Sequence, residues 1–143
     1  MTIKRTASAA WSGGLKDGRG KISTQSGVLK DQVYGFNTRF EGEPGTNPEE
    51  LLGAAHAGCF TMALSLALGE AGLTAESLET KATVSLDQVD GGFAITAIHL
   101  ALTGRVPGTD ADTFQTLATK AKENCPLSKV VNAQISLEAT LEK

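Results

Sequence analysis

The most reactive side chains in this sequence are two cysteines, Cys59 and Cys125, which lie 66 positions apart. A thiol serves as a buried apolar residue, as a metal ligand or as half of a redox pair. Residues 1–10 contain no apolar secretory segment, so we expect a cytoplasmic, reducing location, in which a permanent disulfide is disfavoured. The residues alone leave all three uses of the thiols open.

A metal site has only a weak pattern behind it. His56 and Cys59 are three residues apart in a predicted helix, and Cys125 with His99 would complete four ligands. The compact ligand pairs typical of zinc sites are missing. We therefore expect a core histidine and thiols that hold no metal.

The predicted surroundings of both cysteines are nevertheless unusual for inert thiols. Cys59 lies midway along a buried helix, where a thiolate needs a cation, and Arg39 and Arg105 are the arginines that predicted strands supply. Cys125 precedes Pro126, and a helix that begins there directs free N–H groups at the sulfur. The setting of Cys125 favours ionised sulfur, whereas Cys59 would ionise only beside a cation.

Three strands are predicted in the first third of the chain, over residues 3–11, 21–25 and 33–40. In the third strand, Arg39 points away from the face that carries the aromatic side chains. A helix begins after residues 42–46, since Asn47 is a good N-cap, Pro48 suits the first helical position and Glu50 completes a capping box.

This helix contains 19 residues without a charge, from position 51 to position 69. Its glycines, alanines and polar residues are a weak composition for a membrane span, so we reject that interpretation. A helix without a polar face must be covered by protein, and a chain this short favours an interdigitated dimer. Glu49 lies about 15 Å along the helix from Cys59, so only a second subunit could bring Glu49 to that thiol.

The second half predicts a β-hairpin over residues 79–89 and 93–106, joined by a turn at residues 90–92. A helix over residues 109–124, a short helix after Pro126 and a strand over residues 134–141 follow. The order of three strands, helix, hairpin, helices and strand is an α+β pattern.

Composition narrows the function further. The 143 residues fit one domain, 41% are hydrophobic and 20% are charged, and the net charge is −3. This balance argues against a disordered or fibrous chain and against nucleic acid as a partner. Dinucleotide, P-loop and α/β-hydrolase motifs are absent from the sequence.

Two segments carry a resemblance to a known family. The string Gly-Thr-Asn-Pro-Glu-Glu-Leu-Leu-Gly-Ala-Ala-His-Ala-Gly-Cys-Phe at residues 45–60, with Cys-Pro-Leu-Ser at residues 125–128, resembles the OsmC/Ohr family of organic hydroperoxide reductases. The similarity runs essentially from end to end. Segments 34–42 and 87–90 are closer to the OsmC branch.

The resemblance implies a single OsmC-like peroxidase domain over residues 1–143 and an intertwined homodimer whose sheets wrap around two central helices. It implies that Cys59 is the peroxidatic thiolate, that Cys125 is the resolving thiol, and that Arg39 with Glu49 activates Cys59. In the Ohr branch the activating arginine comes from the early glycine-rich loop, which here holds Lys16 and Arg19.

The implied reaction reduces organic hydroperoxides, and hydrogen peroxide less efficiently, through a sulfenic acid and a Cys59–Cys125 disulfide, and so protects against oxidative stress. An external thiol or lipoyl-type dithiol resets the enzyme, and no cofactor, nucleic acid or membrane is involved. A second hypothesis is a non-catalytic dimer that binds a small ligand in its apolar pocket and whose cysteines are inert.

Overall fold

The computed structural model describes all 143 residues, Met1–Lys143. Its strands are β1 (Ala7–Ser12), β2 (Arg19–Thr24), β3 (Gln32–Tyr34), β4 (Ser77–Val89), β5 (Gly92–Arg105) and β6 (Gln134–Glu142). Its helices are α1 (Phe36–Phe40), α2 (Pro48–Glu70), α3 (Ala111–Asn124) and α4 (Pro126–Val130). The α+β class predicted from the sequence is confirmed.

The chain divides into two compact units, Met1–Leu51 and Leu52–Lys143. In the first unit, β1, β2 and β3 form an antiparallel sheet in that order, with Ala7 opposite Thr24 and Gly20 opposite Tyr34. The Trp11 and Tyr34 rings pack edge-to-face at a centroid distance of 5.6 Å. The prediction of one domain over residues 1–143 stays a prediction.

The predicted strand over residues 33–40 is wrong beyond Tyr34, because the chain turns into α1 there. Thr38 stabilises this turn, since its hydroxyl oxygen accepts from the Gly35 N–H at 2.8 Å and its O–H donates to the Gly35 carbonyl. Phe36 and Phe40 pack together with ring centroids 4.9 Å apart. Because Phe36 and Phe40 are four residues apart, they share a face in a strand and also in a helix, so their spacing does not distinguish the two.

Helix α2 begins as predicted at Pro48, and the side-chain oxygen of Asn47, the residue before it, accepts from the Glu50 N–H at 2.7 Å. The reciprocal half of the capping box is absent. The Glu50 carboxylate instead accepts from the Thr46 hydroxyl at 2.9 Å. This bond still fixes the loop immediately before the helix.

In the second unit, β5 is the central strand of a three-stranded sheet. It pairs antiparallel with β4 across the two-residue turn Asp90-Gly91, where Gly91 has a φ of 83°, a conformation that suits glycine. Strand β6 pairs parallel with β5, with Leu137 opposite Leu100. Parallel neighbours need a crossover connection, and α3 and α4 supply it.

The core of this unit lies between α2, the sheet and α3. Its buried apolar residues include Phe60, Leu64 and Leu68 of α2, Ile98, Leu100 and Leu102 of β5, and Phe114, Ala118 and Ala121 of α3. Helix α2 therefore contributes one face to this core.

The opposite face of α2 stays open within the chain. Met62 is 76% exposed and Leu66 is 67% exposed, and a Cβ atom on Gly58 or Gly69 would meet no other atom within 4 Å. By length and composition alone α2 would also suit a membrane, a test that core helices of soluble proteins pass as well. The open face is apolar and lined by small residues.

Candidate active site

Cys59 lies near the middle of α2, half-buried against the core of the second unit. Cys125 lies at the junction of two helices, where it ends α3 and stands immediately before Pro126, the first residue of α4. The Cys125 N–H donates to the Ala121 carbonyl, and the side chain is fully buried. Both cysteines are free thiols.

The fold brings the two thiols together, and each affects the ionisation of the other. Burial raises the pKa of Cys59, the Leu127 N–H opposes this effect, and Cys125 adds to it. Burial also acts to raise the pKa of Cys125, but the Ser128 hydroxyl and nearby N–H groups outweigh it and lower the pKa below its ordinary value. The hydrogen bonds around Cys125 therefore favour its thiolate form.

A groove of about 770 Å³ lies beside Cys59, between α2 and the end of α3. Its apolar wall is formed by Met62, Ala63, Leu66, Ala67, Ala121 and Pro126. Glu70, Lys120 and Asn124 supply the polar part of its lining. The groove has room for an organic molecule of substantial size next to a thiol.

In the first unit, Arg39 and Glu49 form a bidentate ion pair. Arg39 Nε donates to Glu49 Oε1 at 2.8 Å, and Nη2 donates to Oε2 at 2.9 Å. Glu49 lies in the first turn of α2 and its side chain is only 11% exposed, whereas that of Arg39 is 36% exposed. The carboxylate therefore holds the guanidinium in one orientation and leaves part of it accessible.

The other basic candidates do not have a buried carboxylate partner as Arg39 does. Lys16 lies over the Phe36 ring at 5.6 Å, and Arg105 donates to Glu142 at 3.1 Å. Arg19 opens β2 and is exposed. The prediction that Arg39 lies on a strand is wrong, because it belongs to α1.

The four suggested metal ligands do not form a cluster. His99 Nδ1 bonds with the Ser136 hydroxyl at 2.6 Å on the sheet, and His56 bonds with Ser128 instead. The 143 residues contain no group of three or more His, Cys, Asp or Glu side chains that could hold a metal ion.

Comparison with known proteins identifies the family of this chain. The model of the OsmC-like protein family matches residues 40–140, which include Glu49 and both cysteines. The chain belongs to the OsmC family. It is 60% identical over 142 residues to Peroxiredoxin OsmC of Escherichia coli (strain K12), with 99% of each chain covered.

The chain is also similar to more distant relatives. Organic hydroperoxide resistance protein OhrB of Bacillus subtilis (strain 168) is 32% identical over 124 residues, which is 86% of this chain and 89% of the relative. The crystal structure of the Bacillus subtilis protein has a TM-score of 0.69 and covers 96% of this chain and 98% of its own. The OsmC-like fold predicted by resemblance is thus confirmed.

Two polar residues of this OsmC chain lie near the thiols but are not among the site residues predicted from the sequence. Ser128 lies within the quoted Cys-Pro-Leu-Ser string, and its hydroxyl donates to Cys125 Sγ at 3.5 Å. The sequence predicts His56 as a core histidine rather than a metal ligand, and the side chain is indeed buried. The spacing of Ser128 three residues after a cysteine at a helix start is a local signal, whereas the partnership with His56 spans 72 positions and leaves none.

Proposed function

We propose that this chain is a thiol-dependent peroxidase that reduces organic hydroperoxides to alcohols and protects against oxidative stress. The observation that carries the proposal is the proximity of two free thiols, Cys59 and Cys125, beside an apolar groove. Membership of a family with relatives named for peroxiredoxin activity and organic hydroperoxide resistance supports it.

The reaction requires two steps at sulfur. The Cys59 thiolate attacks one oxygen of the peroxide, the O–O bond breaks, and the departing alkoxide takes a proton to become the alcohol while Cys59 becomes a sulfenic acid. Cys125 then attacks the Cys59 sulfur, so that a disulfide forms and water leaves. This disulfide protects the sulfur from overoxidation, and an external thiol or dithiol restores both thiols by exchange.

Cys59 needs a cation to ionise, because burial raises its pKa. Arg39 is our candidate, since Glu49 orients its guanidinium while leaving part of it accessible. The positive charge also stabilises negative charge that builds up on the peroxide oxygens. Lys16 and Arg19, the early-loop alternatives, lack such a carboxylate partner in the hydrogen bonds of the structure.

Arg39 and Glu49 act, in this proposal, on the Cys59 of a second subunit. The helical spacing keeps Glu49 away from the thiol on its own helix. The open apolar face of α2, with Gly58 and Gly69 free of neighbours, supports the predicted intertwined homodimer. Small residues let two helix backbones approach closely, and burial of Met62 and Leu66 would stabilise the contact.

The groove beside Cys59 favours organic hydroperoxides over hydrogen peroxide. Because Met62 and Leu66 are assigned to the dimer contact, the alkyl or aryl group would pack on the rest of the apolar wall, formed by Ala63, Ala121 and Pro126. It gains about 25 cal/mol for each Å² of apolar surface buried there, and hydrogen peroxide has no such group. We further propose a cytoplasmic, single-domain enzyme that needs no metal or other cofactor and takes electrons from a thiol or lipoyl-type reductant. The names of the relatives lend no support to the non-catalytic ligand-binding alternative.

Single cysteine variants test the proposal. Cys59→Ser is expected to abolish consumption of cumene hydroperoxide. Cys125→Ser is expected to complete a first turnover and then stall with Cys59 as the sulfenic acid. Full activity of the Cys59→Ser protein would refute the proposed function.

A further inference from the structure

A chain of hydrogen bonds leads from the interior of α2 to the sulfur of Cys125. His56, one helical turn before Cys59, is fully buried, and its Nε2 lies 2.8 Å from the Ser128 hydroxyl oxygen. The Ser128 hydroxyl donates in turn to Cys125 Sγ at 3.5 Å. His56 and Ser128 have no role in the peroxidase reaction as proposed above.

The imidazole of His56 is an unusual group for a protein core. Its Nδ1 is buried and has no hydrogen-bond partner in the chain. A buried polar atom without a partner is destabilising, so an apolar residue of similar size would be the better choice for packing alone. The bond to Ser128 is the polar contact that sets histidine apart from such a residue.

The direction of the hydrogen bonds follows from the charge of the ring. Burial lowers the pKa of His56, so the ring is neutral at neutral pH and has one donor and one acceptor nitrogen. We assign the proton to Nε2, where the Ser128 oxygen accepts it. The hydrogen of Ser128 is then directed at Cys125 Sγ.

We propose that His56 and Ser128 are positioning residues for the resolving step, in which His56 orients the Ser128 hydroxyl so that its O–H holds Cys125 as a thiolate directed at the Cys59 sulfenic acid. The inference rests on the proposed peroxidase function. A hydrogen bond donated to a charged sulfur is stronger than one to a neutral thiol, so it favours ionisation. The titratable group that affects the pKa of Cys125 is Cys59.

The step balances in atoms and electrons. The Cys125 thiol gives up its proton, and its sulfur electron pair forms the S–S bond while the S–O bond of the Cys59 sulfenic acid breaks. The hydroxide that leaves takes up a proton, so the products are the disulfide and one water. Cys125 is oxidised and the Cys59 sulfur is reduced, with no further reactant.

Rapid mixing of the reduced full chain with one equivalent of cumene hydroperoxide separates the two steps. Dimedone traps the sulfenic acid, and intact mass measures the disulfide, at a series of pH values. Ser128→Ala is expected to form the sulfenic acid at the wild-type rate and the disulfide roughly tenfold more slowly at neutral pH. The midpoint of its disulfide-formation pH profile is expected to move to higher pH.

Two further variants sharpen the test. Ser128→Thr keeps a hydroxyl and is expected to restore most of the rate. Ser136→Ala removes a matched serine–histidine bond, the one to His99, which lies on the sheet rather than beside a thiol, and is expected to change neither step. His56→Gln is expected to shift the profile as Ser128→Ala does, and Ser128→Ala decides the matter if the buried His56 variant fails to fold.

The outcomes distinguish this inference from the function on which it rests. Disulfide formation in Ser128→Ala with the wild-type rate and pH midpoint would overturn the positioning role alone. A slower rate with an unchanged midpoint would also overturn it, because a merely structural disturbance has that effect. Failure of the wild-type protein to form any sulfenic acid or disulfide would overturn the proposed function and the inference together.

Discussion

Two inactive variants, Arg39→Ala and Cys59→Ser, are expected to restore activity to each other when their chains are combined. Arg39→Ala removes the cation and leaves Glu49, with a side chain only 11% exposed, without its bidentate partner. Loss of one such charge-stabilising group slows a reaction roughly 100- to 1,000-fold. Cys59→Ser removes the sulfur on which the peroxide reacts.

The magnitude of the recovery follows from a symmetric dimer. If Arg39 acts on the Cys59 of the other subunit, a mixed dimer has one site with both residues intact and one site with neither. Random exchange of equal amounts gives mixed dimers in about half of the population, so about one quarter of the wild-type sites work. A site built within one chain would give no recovery.

The assay is steady-state reduction of cumene hydroperoxide with a dithiol as reductant, after the chains are unfolded together and refolded. A matched control combines Cys59→Ser with the double variant Arg39→Ala, Cys59→Ser, which leaves no complete site in any dimer. Mixtures that stay as inactive as this control, with mixed dimers verified by mass, would refute the shared site.

Three further predictions concern assembly, packing and pH. Leu66→Ser should weaken the dimer, because Leu66 is 67% exposed in one chain and burial of that surface in the dimer is worth about 1–2 kcal/mol per copy. Two copies should therefore raise the dimer Kd roughly 30- to 1,000-fold, as measured by sedimentation equilibrium. Gly104→Ala should lower the free energy of unfolding by about 1–3 kcal/mol in urea titrations, since its Cβ would lie 2.6 Å from Phe114 Cζ, whereas Gly92→Ala in the same strand meets nothing within 4 Å and serves as control. Asp110 accepts from the Thr113 N–H, which lowers the pKa of Asp110 below its ordinary 3.8. In thermal unfolding, the difference in stability between the wild type and Asp110→Ala should therefore be constant above about pH 4. This difference should disappear as the pH falls through the lowered pKa of Asp110.

The sequence predicted those elements whose ends are determined by local chemistry. Asn47 and Pro48 mark the start of α2 through capping and a fixed backbone angle, and Gly91 marks the hairpin turn. The strand predicted over residues 33–40 is wrong beyond Tyr34, because the four-residue spacing of Phe36 and Phe40 fits one face of a strand and one face of a helix. The turn into α1 depends on Thr38. Its hydroxyl oxygen accepts from the Gly35 N–H, and its O–H donates to the Gly35 carbonyl.

The sequence offered candidates for the reactive residues of the site but no signal for its long-range hydrogen bonds. Resemblance to the family named Cys59, Cys125, Arg39 and Glu49, and the fold places the members of each pair side by side. The bond between His56 and the distant Ser128 depends on how α4 docks beside α2, which no local pattern specifies. The parallel pairing of β5 and β6 escaped prediction for the same reason, since it is set by the crossover helices.

The most direct test of the central claim is the mass of the fully reduced protein after one equivalent of cumene hydroperoxide. The protein is expected to lose two hydrogen atoms, and digestion should recover a peptide pair joined by a Cys59–Cys125 disulfide. Two intact thiols alongside unreacted hydroperoxide would contradict this claim.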